Sequence, residues 1–225
     1  MDKLEELLRL TREEIPWALA RFNDGEMRAM FHPHGTVARG DQPCTHDMSL
    51  SLKWAIGQRR ENLFIGTPCT ICWPGHSFRA AQLTRDLYGD FRTKAVVQTN
   101  RNLTRFREEM ASILNDQAAN RHVYWVSGDD QDVSKLPFNI SDHVKLPTKD
   151  AYTVARDKLK AIGWWGMGDV VFLSCGPLAT IAAVYLFLKY DKTTFIDVGS
   201  VWDPETRNVS HSCHSFQLKA CAECN

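Results

Sequence analysis

The feature that most constrains the fold is the run Asp169-Val170-Val171-Phe172-Leu173, followed at once by Ser174-Cys175-Gly176-Pro177 and then by an apolar stretch over 178–190. A short run rich in β-branched and aromatic side chains, closed by a glycine–proline turn, reads as a strand buried on both faces. The stretch after the turn is too long for a strand and reads as a helix with Pro177 at its favoured first position. The same alternation recurs along the chain. Strands are expected at 17–22, 63–66, 95–97, 123–126 and 194–199. Helices are expected at 2–14, 26–31, 46–60, 76–88, 102–114 and 150–162, with Thr45 or Asp47 and Asn100 or Asn102 as caps. This order predicts an α/β fold: a single Rossmann-like domain with a mostly parallel sheet and helices on both faces. The domain is expected over 1–205, and 206–225 forms a cysteine-rich C-terminal tail.

Composition narrows the function classes. A chain of 225 residues is long enough for one substantial domain. Its 27 basic and 27 acidic residues cancel, which argues against binding nucleic acid or an anionic membrane through bulk charge. The strongly apolar run at 182–188 falls far short of the ~20 residues of a spanning helix, so no transmembrane segment is expected. Residues 1–15 are charged throughout with no signal-peptide pattern, and the expected compartment is the cytoplasm. Seven cysteines, an odd number in a chain too large to need staples, read as reduced thiols.

In an open α/β sheet, ligands sit beyond the carboxyl ends of the strands. That rule selects 23–26, 67–72, 99–102, 127–132, 174–177 and 197–203, where most of the unusual polar residues lie. Asp24 and Glu26, separated by Gly25 at a strand-to-helix corner, suit a hard cation such as Mg²⁺ or Mn²⁺. Gly25 lets the backbone approach a ligand, and Arg21 can pair with a phosphate. The alternative is an ordinary Asn23-Asp24-Gly25 turn with Asp24 as a helix cap. The corner Cys175-Gly176-Pro177 offers helix amides as a phosphate seat, or else serves tight packing. Cys175 itself reads as a buried, inert thiol, with no paired histidine to make it a nucleophile.

Asp129, Asp130 and Asp132 can supply a catalytic base or bind sugar hydroxyls, or form a solvated acidic loop. Asp197 can orient a metal or a ribose, or cap the next turn. Arg101 and Arg105 face a phosphate or simply the solvent. Cys69-x-x-Cys72 and Cys221-x-x-Cys224, with His211, Cys213 and His214 near the second pair, have the spacing of structural zinc, should the tail fold back over the loop.

Two of these stretches resemble a known family. Arg21-Phe22-Asn23-Asp24-Gly25-Glu26 is similar to the R-[FY]-G-D-G-E signature of the GT-D-type glycosyltransferases, with Asn23 standing where the signature has glycine. Ser174-Cys175-Gly176-Pro177-Leu178-Ala179 and Phe195-Ile196-Asp197-Val198-Gly199-Ser200 resemble that family's C-G-P-A turn and I-D-[IV]-G strand. The resemblance implies a metal-dependent transferase that moves a sugar from a nucleotide-activated donor, usually a UDP-sugar, to a glycan or other hydroxyl acceptor. It also implies Asp24 and Glu26 as the ligands of Mn²⁺ or Mg²⁺ at the donor diphosphate. A homo-oligomer is compatible with it. The reading from another class is a Rossmann-like nucleotide-binding or zinc-stabilised interaction module without transferase activity.

Overall fold

A computed structural model of the chain describes residues 3–34, 36–37, 42–68, 74–83, 91–92, 100–117, 120–161 and 166–207. Helix α1 (Lys3–Arg12) leads into β1 (Ala18–Arg21), which turns directly into α2 (Asp24–Phe31). A small antiparallel pair, β2 (Thr36–Val37) and β3 (Gln42–Pro43), follows. Then come α3 (His46–Ile56), β4 (Leu63–Thr67), α4 (Pro74–Leu83) and β5 (Phe91–Arg92). Helix α5 (Asn100–Asp116), β6 (Val123–Gly128), a 3-10 turn (Val133–Lys135) and β7 (Asp142–Leu146) follow. The described chain closes with α6 (Ala151–Ala161), β8 (Val170–Ser174), α7 (Pro177–Lys189), β9 (Thr194–Asp197) and α8 (Asp203–Arg207).

The main sheet is seven-stranded in the order β5-β4-β1-β9-β8-β6-β7. Every pairing in it is parallel, as continuous burial of the strands requires. Side chains alternate between two cores. Ala18, Ala20, Ile65, Val126, Val171, Leu173 and Phe195 face α2, α3, α6 and α7. Leu19, Phe64, Val123, Trp125, Val170, Phe172 and Ile196 face α1 and α5. Helix α7 is apolar nearly all round because it is buried nearly all round. The expected single α/β sheet with helices on both faces is what the chain forms.

Several details differ from the sequence reading. Strand β7 was not expected, because as an edge strand it buries only alternate residues and its sequence Asp142-His143-Val144-Lys145-Leu146 is half polar. Asn102 lies inside α5 rather than capping it. Thr45 does cap α3, its Oγ1 accepting from the Met48 amide at 3.1 Å. Helix α8 carries the folded core past residue 205: Arg207 pairs with Asp130, Nε to Oδ2 at 3.0 Å. The strand expected at 95–97 and the tail from 208 onward lie outside the described residues. Among the described residues, no helix is long and apolar enough to cross a membrane.

The chain order creates one reversal. From β1 the chain builds outward through β4 to β5, then crosses to β6, adds β7 outside it and works back through β8 to β9. The two halves meet between β1 and β9, and such a switch point opens a crevice at the carboxyl ends of the strands. Behind it, Phe172 holds the α1–α5 core together, with ring centroids 5.4 Å from each of Trp125, Phe138 and Trp202. Phe172→Ala is expected to cost about 3–5 kcal/mol of stability in urea unfolding.

Candidate functional site

The switch point is built around Arg21. Strands β1 and β9 pair only through Ala18 with Phe195 and Leu19 with Ile196. Beyond that the ladder opens, and the Asp197 carboxylate takes the place of a backbone acceptor: Arg21 N–H donates to Oδ2 at 3.2 Å. Arg21 Nη2 donates to Oδ1 at 3.3 Å, and Thr180 Oγ1 in the first turn of α7 donates to Oδ2 at 2.8 Å. The pair is deeply buried, with 3% and 4% of the side chains exposed. Gly199, at φ +48°, lets the next turn pass over the guanidinium, where a Cβ would collide with Nη2. Arg21 Nε and Nη1 are buried without a hydrogen-bond partner among the described residues. Such donors are costly to leave unmet, and they mark a place for an anion.

Asp197 therefore stands behind Arg21, with both oxygens engaged, instead of reaching out as a metal or ribose ligand. Burial pushes its carboxyl up, against the opposing pull of Arg21 and Thr180.

At the start of α2, the Asn23 amide donates to Glu26 Oε2 at 2.9 Å, and Met27 N–H closes the first turn on Asn23 O at 3.0 Å. Glu26 thus satisfies an orphan amide at the helix entrance. It is half-buried, and burial together with the nearby Asp197 charge raises its carboxyl from the ordinary 4.5 to about 7. Asp24 is exposed on the opposite side of the turn, since residues two apart on a helix do not share a face. A Cβ at Gly25 would meet nothing within 4 Å, so the corner between the carboxylates is open.

Asp24 and Glu26 are the residues that would hold a divalent cation at this corner. Among the described residues no group of three or more metal-ligating side chains occurs. Because the two carboxylates lie on different sides of the turn, an ion there would take most of its ligands from phosphates and water.

Across the crevice, β8 ends in the second corner. Gly176 has φ 61° and ψ −146°, a conformation open to glycine, and Pro177 starts the helix. No side chain caps α7, and a Cβ at Gly176 would meet nothing within 4 Å. Pro177 brings no N–H and the Ala179 amide bonds back to Gly176 O at 2.8 Å, so the open part of this corner is the exposed Gly176 backbone. Cys175 is buried beneath it, and burial, reinforced by the Asp197 charge, pushes its thiol up and keeps it protonated. A buried relay ties this corner to the acidic loop. Trp125 Nε1 donates to Gln131 Oε1 at 2.9 Å, Gln131 Nε2 to Ser174 Oγ at 2.8 Å, and Ser174 Oγ to Gly199 O at 2.7 Å. Gln131 and Thr180 escaped the sequence reading because only the tertiary structure gives them partners.

The acidic loop lies after β6, three strands from β1, or roughly 14 Å across the sheet at ~4.8 Å per strand. The structure places it on the same edge as Asp24 and Glu26 without bringing them together. Thr148 Oγ1 reaches Asp129 Oδ1 at 2.6 Å and Asp130 Oδ1 at 3.0 Å. The Thr148 hydroxyl holds Asp129 below the usual carboxylate range. Asp132 caps the 3-10 turn through the Ser134 amide at 3.1 Å, and Ser134 lowers it likewise.

Arg105 does not face the site: it pairs with Glu109 and Glu5, tying α5 to α1. The Arg101 side chain and Cys69, Cys72, His211, Cys213, His214, Cys221 and Cys224 lie outside the described residues.

No protein-family model and no curated protein matches the sequence. Solved structures match the fold. One is the domain of unknown function 1792, described as having a distinct glycosyltransferase fold: TM-score 0.66 at 16% identity, covering 88% of this chain and 77% of that one. A second, from Streptococcus sanguinis and described as a new glycosyltransferase of the same domain, gives a TM-score of 0.64 at 14% identity over 88% and 80% of the two chains.

Two stability tests follow from the buried charges. Asp197→Ala leaves the Arg21 guanidinium buried and unpaired, and is expected to cost about 3–5 kcal/mol in chemical denaturation. Because the folded pKa of Glu26 lies above its unfolded value, the folded protein holds the proton longer, and stability falls as pH rises from 4.5 to about 7. Glu26→Gln in the metal-free protein is expected to reduce that fall by on the order of 2 kcal/mol between pH 5 and pH 8.

Proposed function

We propose that the protein is a metal-dependent glycosyltransferase that moves a sugar from a UDP-sugar donor to a hydroxyl of a glycan or glycoconjugate acceptor. One observation carries the reading. At the reversal point of the sheet, an open two-carboxylate corner adjoins a buried arginine with two unmet donors and an uncapped helix N-terminus. The fold shared with the domain of unknown function 1792 supports it.

Breaking the bond between the sugar and the nucleotide leaves negative charge on the departing diphosphate, so the site must offer fixed positive charge there. The start of α7 supplies part of it through its aligned peptide dipoles. Arg21 supplies the rest, clamped by Asp197 and Thr180 so that no reorganisation is needed as charge develops. Asp24 and Glu26 would hold Mn²⁺ or Mg²⁺, which would neutralise charge on the same diphosphate. Glu26 must give up its raised proton to bind such an ion, so affinity rises with pH toward 8.

The nucleoside lies toward β6. There Asp129 and Asp130, joined through Thr148, accept hydrogen bonds from ribose hydroxyls. An acid held as low as Asp129 is a good acceptor and a poor base.

Calorimetric titration with UDP tests the reading. Binding is expected to require Mn²⁺ and to weaken at least about tenfold in Asp24→Ala and in Glu26→Ala. Equal UDP affinity with and without metal in all three proteins would sink it. Mn²⁺-dependent UDP binding with no sugar released from any UDP-sugar, with or without a glycan acceptor, returns the protein to a nucleotide-binding module.

A further inference from the structure

The outer face of α2 carries a charged stripe of which the proposed donor site uses only Asp24. Asp24, Arg28 and His32 follow at four-residue spacing, which stacks them on one face of the helix, and all three are exposed. Helix α4 packs against α2 beside this stripe. Its half-buried His76 imidazole feels the charges of Asp24, Arg79, Arg28 and His32. Phe31 ties the groups together: the Arg79 guanidinium lies 5.0 Å from its ring centroid and the Lys53 ammonium of α3 lies 5.7 Å away.

Helices α3 and α4 thus bring Lys53 and Arg79 to one aromatic ring of α2, while Arg79, Arg28 and His32 act on His76, and the carboxylate acting on His76 is Asp24. Asp47 of α3 is taken by Arg156 of α6. Among the described residues, no carboxylate forms an ion pair with Arg28 or Arg79. Arginines from two packed helices recognise anions, phosphate above all.

The place of this cluster separates it from the donor diphosphate. Arg21 and the α7 N-terminus lie between β1 and β9, whereas α4 follows β4 on the other side of β1. Asp24 stands between the two.

We propose that Arg28 and Arg79, with His32, Lys53 and His76 around them, form a second anion site that holds the phosphate of a phosphate-bearing acceptor. The acceptor hydroxyl is thereby directed toward the donor sugar at Asp24. The proposal rests on the glycosyltransferase reading for the word acceptor, and on the cluster alone for the anion. A free phosphate monoester and a lipid-borne phosphate share this chemistry.

Glycerol 1-phosphate is the first probe, titrated calorimetrically into the whole protein saturated with UDP and Mn²⁺. One site is expected, weakened at least about tenfold in the Arg28→Ala/Arg79→Ala variant and in Arg28→Glu, with UDP affinity and melting temperature unchanged. Co-sedimentation with vesicles containing phosphatidic acid, and not with phosphatidylcholine vesicles, assigns the phosphate to a lipid. Glycerol phosphate binding alone assigns it to a soluble acceptor. Three results overturn the proposal: no binding of either probe, binding undiminished in both variants, or loss of UDP affinity in them, which would give the cluster to the donor. If UDP does not bind the wild-type protein, the donor reading fails while glycerol phosphate alone still reports on this site.

Discussion

The buried pair of Arg21 and Asp197 is the constraint on which the rest of the site depends. A parallel sheet that reverses its winding leaves two strands whose successors diverge to opposite sides, and backbone pairing between them cannot continue to their ends. Here the ladder between β1 and β9 stops early, and a carboxylate accepts the amide that a carbonyl would otherwise meet. Burying an ion pair is expensive, and the Coulombic gain repays it only where further hydrogen bonds complete the shell. Thr180 completes it for Asp197, but among the described residues none does so for Arg21 Nε and Nη1. A stable fold has no use for two unmet donors at that depth. A ligand that brings phosphate oxygens to them has.

Other parts of the site follow from the same requirement. Gly199 is needed because the guanidinium occupies the space of its side chain, and its positive φ turns the chain away above the pair. Thr180 sits in the first turn of α7, so the helix that begins at the crevice is locked to the carboxylate that orients the arginine. Ser174 holds the Gly199 carbonyl, and Gln131 holds Ser174, so the acidic loop is anchored to the same point through buried hydrogen bonds. Positive charge at the crevice is thus set by rigid elements rather than by mobile side chains, which is what electrostatic preorganisation demands.

Most of the fold was legible because its central strands are buried on both faces and announce themselves as apolar runs: Val170–Ser174 and Val123–Gly128 need no context. Strand β7 was not, since an edge strand reached through a 3-10 turn, with no helix before it, breaks the alternation that made the others readable. In the site, the corners were visible as turn chemistry at Asn23–Gly25 and Gly176–Pro177, but the task of each side chain was not. Arg105 looks like Arg21 in sequence, yet one is drawn to glutamates on the surface and the other is buried by the reversal of the sheet. Gln131 and Thr180 carry no signal of their own, because their roles exist only once β6, β8 and α7 have met.

The spacing of Asp24 and Glu26 now acquires a physical sense. On a helix, residues two apart point in different directions, so a motif of this kind cannot bind a cation by placing two equivalent carboxylates side by side. In this chain it divides the labour. Glu26 turns inward, caps the Asn23 amide and shares the field of Asp197 and Arg21, which ties its charge state to the buried cluster. Asp24 faces outward toward His76 and the arginines of α2 and α4, where it is the negative partner in a positive neighbourhood. A ligand between them meets positive potential on both flanks, from Arg21 and the α7 dipole on one side and from Arg28 and Arg79 on the other. On the proposed reading, one turn of helix separates the donor diphosphate from the acceptor phosphate by the width of a single carboxylate, the arrangement that a reaction joining two negatively charged substrates needs.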